Sequence, residues 1–317
     1  MKKLFALLIT LSAATAAAQE FPTKPVRLVV GFPPGGSTDI TARLIAPKLA
    51  ERWGQPVVVE NKPGAAANIG TDAVAKAEPD GHTLLLATTA IAISPSTFAK
   101  LNYDALRDFA PVTMVSVIPN ILVVHPSVQA NTMQEFVALL KREPGKLNFA
   151  APGAASGQRM TFELIKQVTG TDIVMVPYKG GAPAVQATLA GETQAMIVNV
   201  VEAVPHVQAG KLRALAATTA QRAPMLPEVP TLAETVAPGL DASVWQGVLA
   251  PAGTPAAAIA KINRDVAAAL NAPEVRQRLE AMGMNVVPGT PEAFARFLAE
   301  EIARWRKVAE AARIQPQ

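Results

Sequence analysis

The chain has no cysteine, only three histidines, and only ten Phe, three Trp and two Tyr among its 317 residues. Without thiols there is no disulfide, no thiol chemistry and no lipoprotein-type attachment site, so stability must come from a packed core. His82, His125 and His206 are too dispersed for local metal spacing, and no H-E-x-x-H occurs; no metal and no cofactor are expected. Charge is sparse and nearly balanced, 29 Lys and Arg against 25 Asp and Glu. The basic residues are scattered and do not alternate with aromatics, which argues against nucleic acid as a partner. Beyond the first residues, no stretch combines length with freedom from charge and proline, so a membrane-embedded protein is not expected.

What is present begins with a three-part N-terminus: Lys2 and Lys3, an apolar run from Leu4 to Leu11, and small residues ending Ala16-Ala17-Ala18. That is the layout of a secretory signal peptide, residues 1–18, cleaved near Ala18. Roughly 300 residues then remain, more than one core usually serves, which suggests two domains.

Apolar segments 26–30, 57–60 and 83–87 alternate with helical patterns near 37–53 and 68–77. A second series has strands near 147–150, 174–177, 195–198 and 213–217, with helices near 157–168, 182–190 and 201–209. Such alternation predicts an α/β fold with parallel strands and crossover helices. Helices are expected near 255–271, 273–281 and 291–313, the last started by Thr290-Pro291 and packed back on the first unit. Segments 121–125 and 244–250 are read as two crossing strands between lobes. Lobe I is then 19–122 plus 246–317, lobe II is 123–245, and a cleft lies between them.

The most telling motif is GFPPGGSTDI at 31–40, a glycine-rich turn between a strand and a helix. Gly35 and Gly36 allow a tight turn and close approach, while the helix N-terminus and the hydroxyls of Ser37 and Thr38 attract an anion. Gly31 and Gly36 have phosphate-loop spacing, but Ser37 stands where that motif needs lysine, so holding an anion is favoured over cleaving one. Asp39 is a ligand contact or, with more weight, a cap of the same helix. NFAAPGAASGQRM at 148–160 repeats the arrangement, with Gly153 and Ser156 as the second jaw; Ser156 is one position away from a nucleophile elbow. Asn199, after a strand, is a ligand contact or a turn residue, and Thr88, Thr89 and Ser94 line a pocket or cap a short helix. Trp245 reads as core or hinge packing. Pro47 falls inside a helical pattern without a functional reason.

Read in order, FPTKPVRLVVGFPPGGSTDITARLIAPKL, VVVENKPGAAANIGTDAVAKAEPDGHTLL, NFAAPGAASGQ, VPYKGGAPAV, VPHVQAGKLRALA and WQGVLAPAGTP resemble the Bug, or TctC-like, family of solute receptors. The resemblance implies a two-lobed, type II-like periplasmic-binding-protein fold. It implies a non-enzymatic monomer in the periplasm that closes on a small carboxylate ligand and serves membrane permease subunits or a sensor. It assigns ligand contacts to Pro34, Gly35, Gly36, Ser37, Thr38, Gly153 and Ser156. Asn199 stands where the family commonly has aspartate, and Gln158 and Arg159 where it has small or hydroxyl residues; Gln158 is expected among the ligand contacts. A secreted serine-type α/β hydrolase is the alternative, weakened by the incomplete elbow and the want of a histidine partner; a structural or adhesive secreted protein would not need two anion-ready loops.

Overall fold

The computed structural model describes residues 21–151, 156–178 and 181–316; the expected signal peptide, residues 1–18, and Gly153 lie outside them. The chain opens with β1 (Val26–Val30), α1 (Ser37–Trp53), β2 (Val57–Asn61), α2 (Asn68–Ala75), β3 (Thr83–Thr88), α3 (Ala90–Thr97) and β4 (Phe109–Ile118). It continues through β5 (Asn120–Val124), α4 (Met133–Arg142), β6 (Asn148–Ala151), α5 (Gly157–Thr169), β7 (Val174–Pro177), α6 (Gly181–Leu189), β8 (Ala195–Asn199), α7 (Val200–Gln208) and β9 (Arg213–Ala217). After α8 (Leu232–Thr235), it ends in β10 (Val244–Pro251), α9 (Ala256–Leu270), α10 (Pro273–Ala281), β11 (Asn285–Val286) and α11 (Pro291–Ala311).

These strands form two sheets, ordered β11-β4-β10-β3-β1-β2 and β7-β6-β8-β5-β9. Alternation correctly marked β1, β2 and β3 as parallel neighbours, and likewise β6, β7 and β8. Both sheets are nevertheless mixed. β10 runs antiparallel to β3 and β4, and β5 antiparallel to β8 and β9. The reason is the crossing chain, which enters each sheet without a crossover helix and so arrives reversed. Residues 121–124 lie wholly in the second sheet and 244–251 wholly in the first. The chain therefore passes over at Pro119, just before the first segment, and returns between Ala217 and Val244, just before the second.

Each sheet is covered on both faces, which explains its near-continuous apolar strands. On the first, Leu28, Val30, Leu84 and Leu86 pack under α1 and α9 with Ile45, Leu49, Ile262 and Val266. The opposite face meets α3 and α11 through Leu85, Ile91, Ile93, Phe294, Leu298, Ile302 and Trp305. On the second, α4 and α5 bring Phe136, Leu140, Phe162 and Ile165 onto Leu122, Phe149 and Ile197. α11 is more than a lid on the first sheet. Gln167 Nε2 on α5 donates to the Val308 carbonyl at 2.9 Å, so the C-terminal helix also holds the second.

Candidate functional site

The loop from β1 to α1 is built by its own carboxylate. Gly35 takes φ +87°, a left-handed turn that favours glycine, and Gly36 is the N-cap of α1 at φ −76°, ψ 166°. Asp39 bends back beneath them: Oδ2 accepts the Gly35 amide at 2.9 Å, Oδ1 accepts Asn61 Nδ2 at 2.9 Å, and Arg43 Nε lies 3.0 Å from both oxygens. Asn61 Nδ2 also donates to the Phe32 carbonyl at 3.0 Å, tying β2 to the loop. The Arg43 guanidinium, with the Gly35 and Asn61 donors, outweighs the cost of burial and holds the Asp39 carboxyl down to about 2.

Asp39 thus faces inward, with its acceptor positions spent, and braces the loop, nearer to the expected capping role than to a ligand contact. No side chain caps α1, which leaves the first-turn amides of Ser37, Thr38 and Asp39 at the cleft end of the helix. The neighbouring segment Ala65–Ala67 presses on Gly31, where a Cβ would overlap Ala67; these three alanines have φ of 47°, 53° and 76°. Sequence reasoning passed over that support, since a run of alanines carries no turn signal.

Facing Ser37 is a cavity of about 260 Å³ lined by Gln158 of α5, Gly181 of α6, Asn199 at the end of β8, Glu202 of α7, and Asn120 of β5. Ile118, Met196, Ile197, Val198 and Val244 form its floor. Ser37, Gln158 and Asn199 therefore meet across the two sheets. Asn199 caps α7, its Oδ1 accepting the Val201 amide at 3.1 Å, while its Nδ2 donates to no described residue. Asn120 sits opposite Asn199 in the β5–β8 ladder, 2% exposed, with its Oδ1 unpaired. Glu202 is open to solvent along the cleft, yet the surrounding protein raises its carboxyl above the usual range by desolvation. Sequence reasoning missed Asn120 and Glu202; the ladder pairing that brings Asn120 beside Asn199 joins residues far apart in the chain.

Other expected contacts fall differently. Pro34, Gly35 and Gly36 are exposed at the loop tip, and Thr38 is buried under it. Ser156 is the N-cap of α5: its Oγ accepts the Arg159 amide at 3.2 Å, leaving the hydroxyl proton for another partner. Thr89 is 3% exposed and its Oγ1 accepts the Trp245 amide at 2.9 Å, so it fastens α3 to β10 and does not line the cavity. Trp245 is fully buried, and its indole donates to Glu301 at 3.0 Å. No cluster of three or more His, Cys, Asp or Glu that could hold a metal occurs among the described residues.

Two sheets joined by two crossings, with helix N-termini converging on a polar cavity between them, define a solute-binding receptor. The chain belongs to the tripartite tricarboxylate transporter family of receptors, whose model matches residues 41–314. It is 40% identical to Protein BugT of Bordetella pertussis over 93% of this chain and 91% of that protein. A Pseudomonas protein encoded in the tcbD-tcbE intergenic region is 36% identical over 96% and 91%. Among solved structures, Rhodopseudomonas palustris MatC with bound malate superimposes with TM-score 0.77 at 35% identity, covering 91% of this chain and 100% of that one. R. palustris Rpa4515 with adipate gives TM-score 0.81 at 36% identity, covering 94% and 100%. These likenesses confirm the two-lobed periplasmic-binding-protein fold.

Proposed function

We propose that the protein is exported, loses residues 1–18, and as a monomer in the periplasm captures a small carboxylated solute for the permease subunits of a tripartite transporter or for a sensor. The supporting observation is the uncapped N-terminus of α1, with Ser37, set across a small polar cavity from Gln158 and Asn199. A carboxylate would take the first-turn amides and the Ser37 hydroxyl, a site in which the helix dipole adds to the hydrogen bonds. The lobes would be divided at Pro119 and just before Val244, a few residues from the expected bounds 122/123 and 245/246, because β5 lies wholly in the second sheet and β10 wholly in the first, with rotation at these crossings. Neither Ser37 nor Ser156 hydrogen-bonds a histidine among the described residues, and no observation favours the hydrolase alternative.

A thermal-shift and calorimetric panel of mono-, di- and tricarboxylates and amino acids tests this reading. A ligand should raise the melting temperature with concentration by mass action. Binding of none of these acids, with turnover of simple esters instead, would overturn it.

A further inference from the structure

The second wall of the cleft carries an acid where a receptor for a plain dicarboxylate needs none. Among the described residues lining the cavity Glu202 is the only charged one, and no hydrogen bond or ion pair joins it to another described residue. It stands in the first turn of α7 after the N-cap Asn199, so a helix-capping role is the obvious competitor. That role is not realised. In a capping box the glutamate reaches back to the N-cap amide, as Glu234 does to Thr231 at 2.6 Å in α8. At α7 only the Asn199 side chain acts, on the Val201 amide, and Glu202 instead lies against Gly181 at the start of α6, where a Cβ would stand 3.5 Å from Oε2. Asn120, which lines the same cavity, has a buried side-chain oxygen with no partner among the described residues.

The two walls are therefore complementary opposites. The α1 side offers amide and hydroxyl donors under a positive helix end; the second-sheet side offers the Glu202 carboxylate of α7 and the unpaired amide oxygen of Asn120 on β5. We infer that Glu202 selects the far end of the solute, and that the ligand is a short amino-carboxylate whose carboxylate lies on the α1 N-terminus and whose ammonium group lies between Glu202 and the Asn120 oxygen. This rests on the carboxylate-receptor reading and refines it. A second carboxylate at that position would meet Glu202 in a closing, drying cleft, where like charges repel strongly and Asn120 gains no donor. An ammonium group satisfies both. The cavity of about 260 Å³ has room for about nine water-sized groups, which suits a solute of that length.

Calorimetry with two matched pairs tests the assignment: 6-aminohexanoate against adipate, and 4-aminobutanoate against succinate. The wild-type protein should bind the better amino-carboxylate about ten-fold or more tightly than its dicarboxylate match. Glu202→Gln removes the charge but keeps the shape, and should collapse or invert that ratio. Because Glu202 holds no partner among the described residues, the melting temperature of the unliganded protein should move little. Tighter binding of the dicarboxylates, or a ratio unchanged by Glu202→Gln, would overturn the role of Glu202 while leaving a carboxylate receptor in place. Failure of all four acids, of the wider panel and of any thermal shift would remove both readings.

Discussion

Gly35 and Gly36 are adjacent in the sequence and identical in chemistry, but only one of them occupies a conformation that strains a side chain. Gly35 has φ +87° with open space around it, whereas Gly36 is extended and its nearest neighbour to a new Cβ is the Pro33 carbonyl at 3.8 Å. Gly35→Val should therefore distort the loop and lower affinity at least about ten-fold, while Gly36→Ala should bind nearly as well as wild type; calorimetry on folded protein separates them. The doublet was legible in the sequence, but which residue turns left-handed depends on Asp39 pulling the Gly35 amide inward. Asp39 also makes a pH prediction. Its carboxyl is held to about 2 against an ordinary 3.8, so the stabilisation is present above pH ~4 and is lost as pH falls toward 2. The shift corresponds to about 2 kcal/mol, trimmed to about 1 kcal/mol because Arg43 is half-exposed and screened. Urea titrations at pH 7 and pH 2 should show Asp39→Asn less stable than wild type at the higher pH and most of that difference gone at the lower. Equal differences at both pH values would show that the ion pair does not account for the brace.

Elements with local start and stop signals were legible. Thr290 caps α11 before Pro291, Ser156 caps α5, and α1 runs unbroken through exposed Pro47, whose ring costs only the bond to the Arg43 carbonyl. α4 had a readable signal that was passed over: Thr132 accepts the Glu135 amide at 3.1 Å, and Phe136, Leu139 and Leu140 share one buried face. Strand direction was not legible. β4 and β10 look like any buried strand, and their antiparallel pairing is set by where the chain crosses between sheets. Gly247 records how tightly that pairing is covered: a Cβ there would overlap the Phe294 ring of α11, itself packed edge-on to Trp245 at 5.7 Å. Gly247→Ala should destabilise the protein by about 1–3 kcal/mol through overpacking. Because Gly247 does not line the cavity, ligand affinity measured on the folded fraction should hold. A neutral effect on the denaturation midpoint would mean that α11 can shift away from β10 without cost.

For the whole molecule, the two crossings and the shared helix α11 decide what kind of motion is open to it. The first crossing is a single residue, Pro119, between two strands in different sheets, and it permits rotation without breaking either ladder. Polar atoms gather there unpaired: Asn120 Oδ1, Thr218 Oγ1 and Gln246 Nε2 are all buried without a partner. α11 spans the rear of the joint, fixed to the first sheet through Phe294 and Trp305 and to α5 through the Gln167–Val308 bond, so it favours a hinge over free separation. The donor-bearing end of α1 and the polar wall on α5 and α7 lie on opposite sides of the cavity, so in the proposed reading each would supply only part of the grip. Binding energy is realised fully when the walls approach, and a ligand should shift the population toward the closed form. Small-angle scattering should then give a smaller radius of gyration at saturating ligand. Ser156→Ala divides the contributions further. Loss of the α5 cap should lower stability by about 1 kcal/mol. If the free hydroxyl proton also reaches the ligand, affinity should fall by about 0.5–1.5 kcal/mol and compaction should need more ligand. A ligand that binds with no change in radius, together with unchanged affinity in Ser156→Ala, would place recognition on α1 and its loop alone and make the cleft a rigid site.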